Sequence, residues 1–244
     1  MKTAISGKFA LVIPTLNEVG NIRTLIDRVQ TALSHSDIDY ELIIVDDNSQ
    51  DGTAELVRRY AEHDSRIKLL VRVGERGLAG AVIHGWKNTD ADWLGVMDAD
   101  LQHPPELLPE LLKAMSRGND IVVASRYAGN GTVGNWNALR HFISRASTLA
   151  TLPLQRPGLR IKDPMSGFFI VRRDAIDGID LQPQGFKILL EILVRGRVRR
   201  AEEVPFTFAT RHAGESKASL KVAIQYFSLL GKLSRYALFR AGQQ

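Results

Sequence analysis

The sequence predicts an α/β fold with a mostly parallel central sheet flanked by helices. Two observations carry that expectation. Short apolar runs rich in Val and Ile alternate with longer segments of helical period, and clusters of Asp, Asn, Ser and Gly follow directly after those runs. A length of 244 residues with 44% hydrophobic content is enough to bury a full core and suits one large domain.

The first run, FALVIPT at 9–15, follows early lysines and leads into Asn17 and Glu18 instead of a small-residue cleavage site. It reads as a first strand, not a signal peptide. A helix follows over 20–34, then the strand ELIIVDD at 41–47, a helix over 53–63, the strand IKLLVRV at 67–73 and a helix over 77–89. The strand WLGVMDAD at 93–100 precedes a helix over 105–117 opened by a proline pair, which suits a helix start. IVVASR at 121–126 is the fifth strand. Beyond residue 129 the pattern loosens: a Gly-rich loop, a helix over 137–152, a second loop through QRPGLRIKDPMSG, a short strand FFIVRR, a helix FKILLEILVRG and an extended segment VRRAEEVPFTFATR. No repeat or linker divides this body, which is expected to run to residue 217 as one domain.

In sheets of this kind ligands sit beyond the carboxyl ends of the strands. There the sequence places PTLNE, DDNSQDGT, DADLQH and SRYAGNG. In MDADLQHPP, Asp98, Asp100 and Gln102 alternate, so a strand end would point three oxygen donors to one side, a set suited to Mg²⁺ or Mn²⁺. Acids also cap strands and start turns, and His103 before Pro-Pro reads more readily as a turn residue than as a fourth ligand. A site with so few protein ligands takes the remainder from water and substrate phosphates. DDNSQDGT supplies Asp46, Asp47 and Asp51 in one turn, and Asp46 and Asp47 end a strand expected beside the metal strand, where carboxylates can accept hydrogen bonds from a base edge or ribose; Glu18 can do the same.

The ordered set IPTLNE, IIVDDNSQDGT, RGLAGAVIHG, MDADLQHPP, SRY, DPMSGF, GFK and RHAGESK resembles the inverting glycosyltransferases of family two, and within them the dolichol-phosphate mannose synthase group, over roughly residues 9–217. That resemblance implies a glycosyltransferase-A fold, Rossmann-like, binding a nucleotide sugar. By motif match, Pro14, Leu16, Glu18, Val45, Asp47, Asp98, Ala99 and Asp100 line the donor pocket, and Asp98, Asp100 and Gln102 hold the metal. Relatives often carry Tyr where this chain has Leu16, so an aromatic contact to the nucleotide is missing. GDP-mannose is the family's default donor, and UDP-glucose or another nucleotide sugar the main alternative.

The resemblance also implies a polyprenyl or dolichyl monophosphate acceptor. Arg126, Arg140, Ser144, Lys187, Arg211 and Lys217 match the phosphate-holding positions: Arg126, Arg140 and Ser144 for the acceptor, and Arg126, Lys187, Arg211 and Lys217 for the donor. Asp98, Asp100, Arg126 and Lys187 are the expected catalytic set. Loss of Arg126, Arg140 or Lys187 is expected to damage phosphate handling more than folding. A phosphomonoester is already largely ionised at neutral pH, so no general base is required, and Asp163 is not expected to be one.

Net charge is +5 with a pI near 9.5, which favours an anionic partner. The absence of cysteine removes thiolate metal sites and suits a reducing cytoplasm. No uncharged stretch reaches the roughly 20 residues that cross a bilayer. Residues 218–244, however, carry Lys221, Gln225, Ser228, Lys232 and Arg235 on one helical face, with Val222, Ile224, Tyr226, Phe227, Leu230, Leu233, Leu238 and Phe239 opposite. Such a helix can lie in the headgroup region at the cytoplasmic face of a membrane, or pack onto the domain or a membrane-anchoring partner.

Other readings fit less well. A transferase acting on a hydroxyl acceptor would need a carboxylate base. A receiver-like signalling domain would be about half this length, and a nucleic-acid binder lacks support at 7% aromatic residues with no basic–aromatic motif. A nicotinamide dehydrogenase would carry a Gly-rich turn where PTLNE stands.

Overall fold

The computed structural model describes residues 7–132, 145–156, 158–182, 187–208 and 228–236. Its seven strands are β1 (Lys8–Thr15), β2 (Asp39–Asp46), β3 (Ile67–Val71), β4 (Trp93–Val96), β5 (Ile121–Ser125), β6 (Phe169–Arg172) and β7 (Ala201–Pro205). They form one sheet in the order β3-β2-β1-β4-β6-β5-β7. The helices are α1 (Val19–Leu33), α2 (Thr53–His63), α3 (Leu78–Lys87), α4 (Leu108–Met115) and α5 (Ile188–Arg195).

The period of two along β1 explains the layering. Phe9, Leu11 and Ile13 enter one core with Leu42 and Ile44, covered by Ile22, Leu25, Ile26 and Val29 of α1 and Leu108, Leu111 and Leu112 of α4. Ala10 and Val12 enter the opposite core with Ile43 and Val45, covered by Ala81, Val82 and Trp86 of α3 and Leu189, Ile192 and Leu193 of α5. β1 is thus buried on both faces, and each large aliphatic side chain so enclosed contributes roughly 1.5–3 kcal/mol.

The chain departs from expectation in three places. β2 does not lie beside β4: β1 stands between them, paired in parallel with each. The order therefore reverses between β1 and β4, which opens a crevice at the carboxyl ends. β4 ends at Val96 instead of running to Asp100, and Leu101 takes a left-handed φ of 60°. Asp98, Asp100 and Gln102 consequently lie on a turn, not on an alternating strand. The expected helix at 105–117 begins as a 3₁₀ turn, Pro105–Leu107, closed by the Leu107 N–H to the Pro104 carbonyl at 3.1 Å. Pro104 and Pro105 donate no hydrogen bond, so the tighter turn costs the backbone nothing there.

β6 runs antiparallel to both β4 and β5, whereas the remaining pairings are parallel. DPMSG lies at the carboxyl mouth of the sheet, so the strand leaving it has to run back down. Of the helix expected at 137–152, residues 145–150 are helical and Leu152–Leu154 is a 3₁₀ turn; its earlier part lies outside the described residues. At the C-terminus residues 228–236 are helical, and Leu233 is buried against Leu154, Leu190 and Val194, with Leu229 and Leu230 beside it. For these three leucines, packing onto the domain is the outcome. Val222, Ile224, Tyr226, Phe227, Leu238 and Phe239 lie outside the described residues. No helix among the described residues is long and apolar enough to cross a membrane.

Candidate active site

Register sets the site. Val96 of β4 pairs with Phe169 of β6, and Val123 of β5 pairs with the same residue. The segment DPMSGF just before β6 is thereby carried between the turn after β4 and the loop after β5. Every residue of that segment except Pro164 has an assignable contact. Asp163, fully buried, accepts Arg126 Nε at 2.8 Å, Arg126 Nη2 at 2.7 Å and the Arg126 backbone N–H at 3.0 Å. The Met165 carbonyl accepts Lys187 Nζ at 3.1 Å. The Ser166 hydroxyl donates to the Ala124 carbonyl at 2.7 Å, which ties the loop to β5. Gly167 leaves room for a carboxylate, since a Cβ there would stand 2.5 Å from Asp98 Oδ2 and 3.0 Å from Oδ1. Phe168 flanks His103, their ring centroids 5.6 Å apart.

Five titratable side chains from four elements thus converge: Asp98 after β4, His103 beyond it, Arg126 after β5, Asp163 before β6 and Lys187 at the start of α5. Burial, then the neighbouring Arg126 cation, lowers Lys187 to about 8, against the pull of Asp98 and Asp163. The same two effects push His103 down to about 3, so it is a neutral imidazole. It sits among Phe168, Phe206 and Phe208, with Nδ1 3.7 Å from Asp98 Oδ2. Arg126 also lies over the Phe208 ring at 5.3 Å.

The metal set is composed of hard oxygens. Asp98 and Asp100 are both partly exposed, and Gln102 is tied to the turn by its own N–H, which donates to Asp100 Oδ1 at 3.2 Å. No cluster of three His, Asp or Glu side chains suited to a metal occurs among the described residues. Two carboxylates and an amide, with a glycine clearing one carboxylate, fit a Mg²⁺ or Mn²⁺ that draws its other ligands from water and phosphate oxygens.

On the other side of the crevice, the loops after β1 and β2 hold each other. Asp46 accepts Thr15 Oγ1 at 2.8 Å, Ser49 Oγ at 2.6 Å and the Ser49 N–H at 2.7 Å. Asp51 accepts the Val19 and Thr53 N–H groups, each at 3.0 Å. Both acids are therefore structural, contrary to the expectation that Asp46 serves a ligand. Asp47 accepts Arg72 Nε at 2.7 Å and the Gly77 N–H at 2.8 Å, so it anchors the turn into α3. Pro14 and Val45 stand side by side at the ends of β1 and β2. The Val45 side chain is in the core, which leaves its main chain to face the mouth. Leu16 follows β1, Glu18 opens α1, and Ala99 is buried between the two acids of the turn. Arg140, Ser144, Arg211 and Lys217 lie outside the described residues.

Sequence reasoning missed Arg72, Gly167 and the three phenylalanines. Arg72 had a legible signal, an arginine closing an apolar strand opposite an acidic strand end. The others had none, because their partners are distant in the chain.

The chain matches the profile of Glycosyl transferase family 2 over residues 10–179. It is 41% identical over 230 residues to a dolichol-phosphate mannosyltransferase of Pyrococcus furiosus, covering 94% of this chain and 64% of that one. It thus spans just under two thirds of that relative's length. To a protein of the same name from Saccharomyces cerevisiae it is 38% identical over 239 residues, 94% of this chain and 88% of the other. In fold it is similar to the crystal structure of glucosyl-3-phosphoglycerate synthase from Mycobacterium tuberculosis in complex with Mn²⁺, uridine-diphosphate-glucose and phosphoglyceric acid. The TM-score is 0.64 at 18% identity, over 93% of this chain and 80% of that one. The expected glycosyltransferase-A architecture is the one observed.

Proposed function

Because the chain belongs to glycosyl transferase family 2, we propose that it is an inverting transferase that moves a hexose, mannose from GDP-mannose, onto a polyprenyl or dolichyl monophosphate. The observation that carries the acceptor class is the state of Asp163. It is fully buried beside the turn that carries Asp98, and both its oxygens are committed to Arg126. Turned to Arg126 through both oxygens, this carboxylate is not presented to an acceptor hydroxyl, which favours an acceptor with no proton to give up.

The reaction is then a direct displacement. An oxygen of the lipid phosphate attacks the anomeric carbon, the bond from that carbon to the donor diphosphate breaks, and the electron pair leaves on the nucleoside diphosphate. Bound at Asp98, Asp100 and Gln102, Mg²⁺ or Mn²⁺ would offset the diphosphate charge. Arg126, with its plane set by Asp163, and Lys187 hold anionic oxygens in the same crevice, so the protein's part is positioning and electrostatics. Pro14, Leu16, Glu18, the Val45 main chain and Asp47 flank the nucleoside side of the crevice, with Arg211 and Lys217 assigned to the donor and Arg140 and Ser144 to the acceptor phosphate by their motif positions. Because the acceptor is a lipid, catalysis is assigned to the cytoplasmic surface of a membrane.

The test is a screen of radiolabelled GDP-mannose, UDP-glucose and other nucleotide sugars against short-chain polyprenyl phosphates and soluble hydroxyl acceptors. Transfer from GDP-mannose to the lipid phosphate is the expected result. Transfer to a hydroxyl acceptor in preference to the phosphate would overturn the reading.

A further inference from the structure

His103 is 3% exposed and enclosed by the rings of Phe168, Phe206 and Phe208, with centroids 5.4–5.6 Å from its own. A phenylalanine would fill that cage as well and leave no polar atom unmet, so packing does not account for an imidazole. Its Nδ1 has no hydrogen-bond partner among the described residues and stands 3.7 Å from Asp98 Oδ2. Asp98 also lies against Gly167, where a Cβ would stand 2.5 Å from the same Oδ2 and 3.0 Å from Oδ1.

We propose that His103 is a positioning residue for Asp98, donating Nδ1–H to Oδ2 so that the other oxygen is presented to the divalent cation. Three aromatic walls leave the imidazole one direction in which to point. A shift of roughly half an ångström in the Asp98 carboxylate brings the pair into hydrogen-bond range. The side chain of Asp98 is 32% exposed, and a cation bound at the turn would draw it through that shift. A hydrogen bond to a ligating carboxylate fixes its orientation and raises its affinity for metal, with typical losses of about 10- to 100-fold when such a partner is removed. This inference rests on the reading of Asp98 as a metal ligand.

The experiment titrates Mn²⁺ by electron paramagnetic resonance, with GDP and separately UDP present, into wild type, H103F and H103N, alongside melting curves without metal. H103F keeps the ring and loses the donor, and H103N restores an N–H at the Nδ1 position. The expected result is about tenfold or more weaker Mn²⁺ binding in H103F with its melting temperature held, and recovery to near the wild-type value in H103N. Unaltered Mn²⁺ affinity in H103F, or equal loss in both variants accompanied by a drop in melting temperature, would overturn the positioning role. If H103F does not fold, the comparison passes to H103N and H103Q, which place an amide at the Nδ1 or Nε2 position; equal affinity in those two overturns the role, and retention by Asn alone supports it. Wild type failing to bind Mn²⁺ with either nucleotide would instead remove the metal reading itself.

Discussion

Arg126 and Asp163 are joined by two parallel N–H···O bonds in a pocket where the arginine side chain is 11% exposed and the aspartate fully buried. From sequence alone, removal of Arg126 is expected to harm phosphate handling and spare the fold. The structure changes that expectation, because Arg126→Ala strands a buried carboxylate. The expected cost is about 3–5 kcal/mol, read by urea denaturation; a variant as stable as wild type would show that the pair does not tie the two loops. Asp100→Ala is a different case, since Asp100 is partly exposed on the turn, where its Oδ1 accepts the Gln102 N–H at 3.2 Å. It should fold normally and lose transfer activity, and full wild-type transfer in excess chelator would refute the metal set. Lys187 governs the pH dependence. Acceptor phosphate ionises with a second pKa near 6, so kcat/KM should rise through about that pH, then fall above about 8 as Lys187 loses its proton. Lys187→Met should remove the alkaline fall. The effect on stability has the opposite sign. Between about 8 and 10.5 the unfolded chain binds the Lys187 proton and the folded chain does not, so the Lys187 contribution grows with pH across that window.

At the level of elements, the Asn-Glu and Asp-Asn-Ser loops are mutually tied, as in the Asn17 N–H to Ser49 Oγ bond at 2.8 Å and the Glu18 N–H to Thr53 Oγ1 bond at 3.0 Å. The nucleoside side of the crevice is therefore preformed, and two of the three acids in that turn, Asp46 and Asp51, are spent on building it. Their turn-forming character was legible; which of the neighbouring acids would be consumed was not, because that depends on where Thr15 and Val19 arrive from the preceding strand. The C-terminal helix makes the same point. Its amphipathic pattern is plain in the sequence and says nothing of what the apolar face meets. Leu233 meets Leu154, Leu190 and Val194, and Leu233→Ala should lower stability by about 2 kcal/mol or more, measured as a reduced melting temperature. No change would mean that this helix does not stay on α5.

For the molecule as a whole, a net charge of +5 and the proposed lipid-linked anionic acceptor make a joint prediction. The protein should co-sediment with vesicles containing anionic lipid in low salt and release at about 1 M salt, where the Debye length falls to about 3 Å. Binding that persists there would point to apolar insertion instead. The sequence by itself determined the alternation of strands and helices and the positions of the polar loops, because hydrophobic period and turn chemistry are properties of neighbouring residues. Tertiary structure alone decided that β1 separates β2 from β4 and that β6 runs backwards from the mouth of the sheet. Those two choices bring Gly167 against Asp98, join Asp163 to Arg126 across 37 residues, and close Phe206 and Phe208 around His103. Such contacts follow from which strands become neighbours, and strand order is set by how the helices cover both faces of the sheet, a condition no local stretch of the chain contains.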